Sequence, residues 1–200
     1  DENNSLNKFP IQPAGLFKQL RCVLPKNSAI TLDAGTLCLQ ATDALEYYNP
    51  PSLFTPLDFG LVGFSFACGL GVKVACPDKT VVSLMGDGGF GMTISELSTA
   101  VQYGINTITI VMNNNSWGAE KAYQKDFFGK RYIGADIINP PFDKVAQLYG
   151  AIGFNVNKVS EVNEALKAAL KCNKAAVINV NVDPKALYSF RRDSFKHRAK

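Results

Sequence analysis

The chain has 200 residues and a mass of 21.7 kDa, with 46% hydrophobic and 19% charged residues. This composition is too apolar for disorder, and the length is that of one full-sized domain or two small ones. No apolar run reaches the roughly 18–20 residues that a membrane-spanning helix requires, so no membrane partner is expected.

The net charge of +4 comes from 21 Lys and Arg against 17 Asp and Glu. The last ten residues, Arg191 to Lys200, hold five of the basic groups and one acidic group, so the body before them is neutral. A neutral body argues against a nucleic-acid partner. The single histidine, His197, lies in the same tail. That excludes a Ser-His-Asp triad, a Cys-His pair or a His-built zinc site within the body. The cysteines (Cys22, Cys38, Cys68, Cys76 and Cys172) are odd in number and show no C-x-x-C spacing. This favours reduced, buried thiols and a cytoplasmic setting. With so few groups for acid–base or nucleophilic work, an enzyme of this composition takes its chemistry from a cofactor. The polar start, Asp1-Glu2-Asn3-Asn4, shows no signal peptide, and its lack of Met leads us to expect a longer translation product.

Residues 1–12 read as a linker, 13–185 as the domain and 186–200 as a basic tail. In chain order, a helix is predicted over Pro13–Leu24, stopped by Pro25, then a short buried strand over Ala29–Leu32. Asn49 to Gly60 reads as a loop with several turn residues. A helix rich in small residues follows over Val62–Ala75, then a strand over Thr80–Met85 and a glycine-rich stretch over Gly86–Gly91. Met92–Tyr103 is predicted as a helix stopped by Gly104, and Thr107–Met112 as a β-branched strand. Asn113–Pro141 reads as a polar, aromatic-bearing loop too long to be a mere connection. A helix over Phe142–Tyr149, a strand over Phe154–Val156, a helix over Glu161–Cys172 and a strand over Ala175–Val182 complete the chain. Strands alternating with helices and made of continuous Val/Ile runs specify an α/β fold, a parallel sheet with helices on both faces. In such sheets ligands sit at the carboxyl ends of the strands, here after Leu32, Met85 and Met112.

Gly86-Asp87-Gly88-Gly89-Phe90-Gly91 formally matches G-x-G-x-x-G between a strand and a helix. Two features argue against a dinucleotide. Asp87 stands where a diphosphate would approach, and the next strand ends in Asn113-Asn114-Asn115 rather than in a ribose-binding Asp or Glu. Both features make sense if a hard divalent cation lies between carboxylate and diphosphate. Mg²⁺ takes one or two protein carboxylates and fills its shell with phosphate, amide and water oxygens. Asp87 supplies the carboxylate, and an Asn one strand away, about 5 Å across, supplies a neutral oxygen. Gly88 and Gly89 open a helix N-terminus, where backbone N–H groups favour phosphate. The bland alternative is a tight strand–helix turn beside a polar loop.

Gly86-Asp87-Gly88, then 25 residues, then Asn114 within an Asn pair, resembles the signature of the thiamine diphosphate enzymes. The resemblance covers residues 15–185 and implies the thiamine diphosphate-binding fold, as the pyrophosphate-binding domain. It implies that Asp87, the Asn114 side chain and the Ser116 backbone carbonyl bind Mg²⁺, with Gly88, Gly89 and Gly118 along the diphosphate. Ala34-Gly35-Thr36 resembles the family's other phosphate loop. Gly60-Leu61-Val62-Gly63 resembles the segment that holds the aminopyrimidine, through the Gly60 carbonyl and the Val62 N–H.

Phe59-Gly60 through Pro77-Asp78, and Glu96-Leu97, resemble the acetolactate synthase-like group. Ser116 to Lys121, Gln124 to Phe128, Lys130-Arg131-Tyr132 and Phe190-Arg191-Arg192-Asp193 resemble the sulfoacetaldehyde acetyltransferases within it. That resemblance implies conversion of sulfoacetaldehyde and phosphate to acetyl phosphate and sulfite. Both substrates are anions, so Lys121, Lys130, Arg131, Arg191 and Arg192 are candidates to meet them, or else solvated or subunit-bridging charges. An acetolactate synthase-like enzyme acting on pyruvate or another 2-oxo acid, and one subunit of a split thiamine decarboxylase, stay open. So does a module that keeps the fold but has lost the cofactor. The family activates its cofactor with a glutamate from a pyrimidine-binding domain, of the same or a partner chain, usually in a homo-oligomer. No segment here resembles that domain, so no catalytic residue is assigned in this chain.

Overall fold

A computed structural model describes residues 9–56 and 59–187. Among these residues the β-branched and aliphatic runs form six strands: β1 (Ala29–Leu32), β2 (Leu53–Phe54), β3 (Val81–Gly86), β4 (Ile108–Asn113), β5 (Ile152–Val156) and β6 (Ala176–Asn181). Every neighbouring pair is parallel, in the order β2-β1-β3-β4-β6-β5. The described helices are α1 (Pro13–Val23), α2 (Thr36–Ala44), α3 (Phe64–Ala75), α4 (Asp87–Thr93), α5 (Glu96–Gln102), α6 (Gly118–Phe127), α7 (Phe142–Leu148) and α8 (Val159–Lys171).

The helices cover both faces of the sheet, and alternate residues of each strand decide which core they enter. Leu84, Ile110 and Ile178 pack with Leu16 and Leu20 of α1, Ala41 of α2 and Leu166 of α8. Met85, Val111 and Val177 point the other way, to Phe66 of α3, Leu97 of α5 and Phe142 of α7. Burial on both faces is why these strands read as continuous apolar runs rather than as alternating ones. Each fully buried side chain of this size stabilises the fold by about 1.5–3 kcal/mol.

Several elements differ from the predicted ones. α2 was not predicted, because Thr36-Leu37-Cys38-Leu39-Gln40 follows a glycine and has no capping side chain. The glycine-rich stretch is itself helical: α4 begins at Asp87, and a break at Ile94–Ser95 separates it from α5. Packing overrides poor glycine propensity here, since the Phe90 ring lies 5.6 Å from Phe66 and 5.2 Å from Phe142 between centroids. α3 starts at Phe64 because Gly63 caps it in a left-handed conformation, φ 88°. The long loop after β4 contains α6, whose only buried residue is Ala122, so no apolar stripe announces it. Ile11, inside the span read as linker, is buried and bridges Val182 beyond β6, so the domain's contacts begin before Pro13. Among the described residues, no helix is long and apolar enough to cross a membrane.

Candidate functional site

The chain leaves β1 outward to β2 and returns to β3 on the opposite side. The strand order therefore reverses between β1 and β3, the crevice where open parallel sheets bind ligands. A cavity of about 540 Å³ opens there, over the carboxyl ends of β1, β3 and β4. Three stretches from far apart in the sequence border it: Ala34, Gly35 and Thr36 after β1; Asp87, Gly88 and Gly89 after β3; Asn114, Ser116 and Gly118 after β4. Gly60 and Val62, ahead of α3, complete the wall.

Asp87 opens α4 and is 1% exposed. Burial pushes its pKa up, opposed by a hydrogen bond from Asn139 and by the N–H groups of Asp87, Gly88 and Ser116. A buried carboxylate whose charge is disfavoured gains most from a cation. Asn114 Oδ1 accepts the Ser116 N–H at 3.2 Å, which leaves it a lone pair. Between them Asn115 takes a left-handed conformation, φ 53°, which Asn tolerates and which folds the chain back beside Asp87. Ser116 Oγ is buried and has no hydrogen-bond partner among the described residues. Among the described residues no three His, Cys, Asp or Glu side chains cluster. A cation here would therefore draw on one carboxylate and neutral oxygens, the donor set that suits Mg²⁺ and not zinc. The residues fit a Mg²⁺–diphosphate group.

The first turns of α2 and α6 border the same cavity, where their free N–H groups and dipoles favour phosphate. A Cβ on Gly118 would lie 3.1 Å from Thr36 Oγ1 and 3.2 Å from Asn114 Nδ2, so the three segments are in close contact. Gly88 and Gly89 also have a packing role that the sequence did not reveal. A side chain at Gly88 would run into the Trp117 ring, and one at Gly89 into the Asp33 carboxylate.

Residues 33–180 match the model of the thiamine pyrophosphate enzyme family, C-terminal TPP binding domain. The chain belongs to this family. Among its relatives, the sulfoacetaldehyde acetyltransferase of Castellaniella defragrans is 31% identical over 92% of this chain. The probable acetolactate synthase large subunit of Methanococcus aeolicus is 32% identical over 90% of it. The solved structure of Rhodococcus jostii RHA1 thiamine diphosphate-dependent 4-hydroxybenzoylformate decarboxylase superposes on 88% of the chain, with a TM-score of 0.82 and 27% identity. The chain spans 31% of the length of the two curated relatives and 33% of the decarboxylase.

Within this thiamine pyrophosphate enzyme domain, the substrate candidates among the described residues do not line the cavity. Lys121 pairs with Asp136, and its ammonium sits 5.6 Å from the centre of the Tyr132 ring. Arg131 is exposed, its Nε donating to the Phe128 carbonyl at 3.2 Å. Neither lines the cavity. Arg191, Arg192 and the Phe190–Asp193 segment lie outside the described residues. Two site residues escaped the sequence reading. Asp33, 4% exposed, accepts the Gly63 N–H at 3.0 Å and the Ser65 N–H at 3.3 Å, and so fixes the Gly60–Gly63 segment against α4. Its position at a strand's carboxyl end was the available signal. Asn139 reaches Asp87 from the long loop, and nothing local in the sequence marks it.

Proposed function

We propose that this chain is the diphosphate-binding domain of a thiamine diphosphate- and Mg²⁺-dependent acyltransferase that makes acetyl phosphate and sulfite from sulfoacetaldehyde and phosphate. The observation that carries the cofactor part is the convergence of Asp87, Asn114 and Ser116 on one cavity beside the first turns of α2 and α6. The Asp87 carboxylate, Asn114 Oδ1 and the Ser116 carbonyl would hold Mg²⁺. Ala34, Gly35, Thr36, Gly88, Gly89 and Gly118 would border the diphosphate. The Gly60 carbonyl and the Val62 N–H would hold the aminopyrimidine. Thiamine diphosphate bound there supplies a carbon nucleophile for carbonyl substrates. The chain itself binds and orients: Asp33 anchors the Gly60–Gly63 segment, and Trp117 packs on Gly88 at the cavity wall.

The substrate part is supported by the Ser116–Lys121 stretch and by the 31% identity to the Castellaniella enzyme. Lys121, Arg131, Arg191 and Arg192 are the candidates for the anionic groups, Arg offering a planar fork suited to sulfonate or phosphate. The 32% identity to the Methanococcus protein supports a second reading, an acetolactate synthase-like enzyme acting on pyruvate. In either reading a pyrimidine-binding domain, of the same or a partner chain, supplies the activating glutamate. We place the enzyme in the cytoplasm as a homo-oligomer. The test assays the protein carrying this chain and its pyrimidine-binding domain with sulfoacetaldehyde plus phosphate, and separately with pyruvate. Acetyl phosphate and sulfite in equal amounts are expected. Acetolactate from pyruvate with no sulfite release would overturn the acyltransferase reading.

A further inference from the structure

Asn139 lies 52 residues from Asp87 in sequence, yet its Nδ2 donates to Asp87 Oδ2 at 2.6 Å. The same Nδ2 is 3.1 Å from Asn113 Oδ1 and 3.2 Å from Asn115 Oδ1. An amide carries two N–H groups, so three acceptors compete for them, and the shortest contact is the charge-assisted one. The acceptors are themselves held. Asn113 Oδ1 also takes the Asn115 N–H at 3.2 Å, and Asn113 Nδ2 donates to Asn179 Oδ1 on β6 at 3.1 Å.

Asn139 ends a strap laid over the carboxyl end of β4. The strap leaves α6 at Phe128 and returns antiparallel to residues 115–117. The Trp117 N–H donates to the Ala135 carbonyl at 2.8 Å, and the Ile137 N–H to the Asn115 carbonyl at 3.0 Å. Ser116 and Asp136 form an antiparallel bridge between them. The strap therefore pairs with the segment that bears Asn114 and Ser116, and its last anchor is on Asp87.

We propose that Asn139 is a positioning residue for the cation site: anchored at the end of the 128–139 strap, it fixes the Asp87 carboxylate through Oδ2. The inference rests on the cofactor reading above. A neutral donor suits this task. It orients the carboxylate and leaves the negative charge for the cation, where a lysine would compete with it. By reciprocity, a cation that favours the held carboxylate also strengthens the Asn139 anchor of the strap.

The test uses the protein carrying this chain and its pyrimidine-binding domain, with Mn²⁺, an EPR-visible stand-in for Mg²⁺, and excess thiamine diphosphate. Asn139→Ala removes the side chain; Asn139→Leu keeps bulk without donors. Both are expected to weaken Mn²⁺ binding by about 10–100-fold, the usual effect of losing a partner that orients a metal ligand. In the native chain, Mn²⁺ with thiamine diphosphate should slow hydrogen exchange across 128–139; in both variants it should not, while β4 stays equally protected. Native Mn²⁺ affinity in the variants would overturn the proposal alone. Loss of β4 protection together with affinity would assign Asn139 a merely structural role and overturn it too. A native protein, pyrimidine-binding domain included, that binds no Mn²⁺ in the presence of thiamine diphosphate would overturn the cofactor reading itself, and this inference with it.

Discussion

Asp33 and Asp87 end adjacent strands, are similarly buried at 4% and 1% exposure, and border one cavity, yet their surroundings use them differently. Asp33 accepts N–H groups of Gly63 and Ser65, one on each oxygen, at the start of α3. Asp87 takes the Asn139 amide on Oδ2 and stands beside Asn114 and Ser116, two further oxygen donors. One carboxylate ties a wall segment in place, and the other sits where a cation would complete its surroundings. The same side chain at the same kind of strand end becomes scaffold or ligand according to what the neighbouring backbone brings to it.

Removing each carboxylate is the direct way to break this comparison. Asp87→Ala is expected to weaken Mg²⁺-dependent thiamine diphosphate binding by at least about 100-fold, more than loss of an orienting partner does. Calorimetric titration measures it, and binding close to native would return Asp87 to a structural role. Asp33→Ala should instead act on the fold, with a loss of about 2–4 kcal/mol in urea unfolding, because it strands two buried N–H groups. A stable Asp33→Ala chain would mean that α3 does not depend on this anchor.

The pH dependence treats the two alike. Burial raises both carboxyl pKa values above the ordinary aspartate value, against the lowering effect of their hydrogen bonds. Above the raised values both are ionised in the folded and unfolded chain, and burying the charge costs stability. As pH falls through the raised values the folded state takes up protons first, so stability contributed by these groups rises, levelling off once the unfolded chain is protonated as well. Urea midpoints recorded from neutral to mildly acid pH should therefore show a rise that Asp87→Asn diminishes. A slope identical in that variant would remove Asp87 from the account.

Smaller effects test the packing around the two carboxylates. Gly88→Ala forces the added Cβ against Trp117, and we expect about 1–3 kcal/mol of destabilisation. Trp117 is the only tryptophan, so its emission reports the displacement directly. The smallest effect is expected at Lys121→Ala. Its pair with Asp136 has one largely exposed partner, so urea unfolding should change by about 0–1 kcal/mol.

Much of this was legible in advance. The apolar runs at Val81–Met85 and Ile108–Met112 were legible as strands, because a strand buried on both faces reads as a short continuous run bounded by turn residues. Gly86-Asp87-Gly88 and Asn114 fall at the ends of those strands, so pairing them needed only the parallel order. α6 was hidden because its one buried side chain is a small alanine, and α2 because its start relies on Gly35 and not on a capping hydroxyl. Asn139 was hidden for another reason: its partner lies 52 residues away, and no periodicity encodes that distance.

The sequence by itself determined the fold class, the carboxylate–amide pair and the glycines between them, because strand periodicity and local turn chemistry act over a few residues. The tertiary structure alone decided which aspartate anchors backbone and which meets open space. It also decided that Gly88 and Gly89 make room for Trp117 and Asp33, and that a strap from beyond α6 ends on Asp87. Those are contacts between segments brought together by packing of the sheet and its helices, and burial acts on whatever lies adjacent in space.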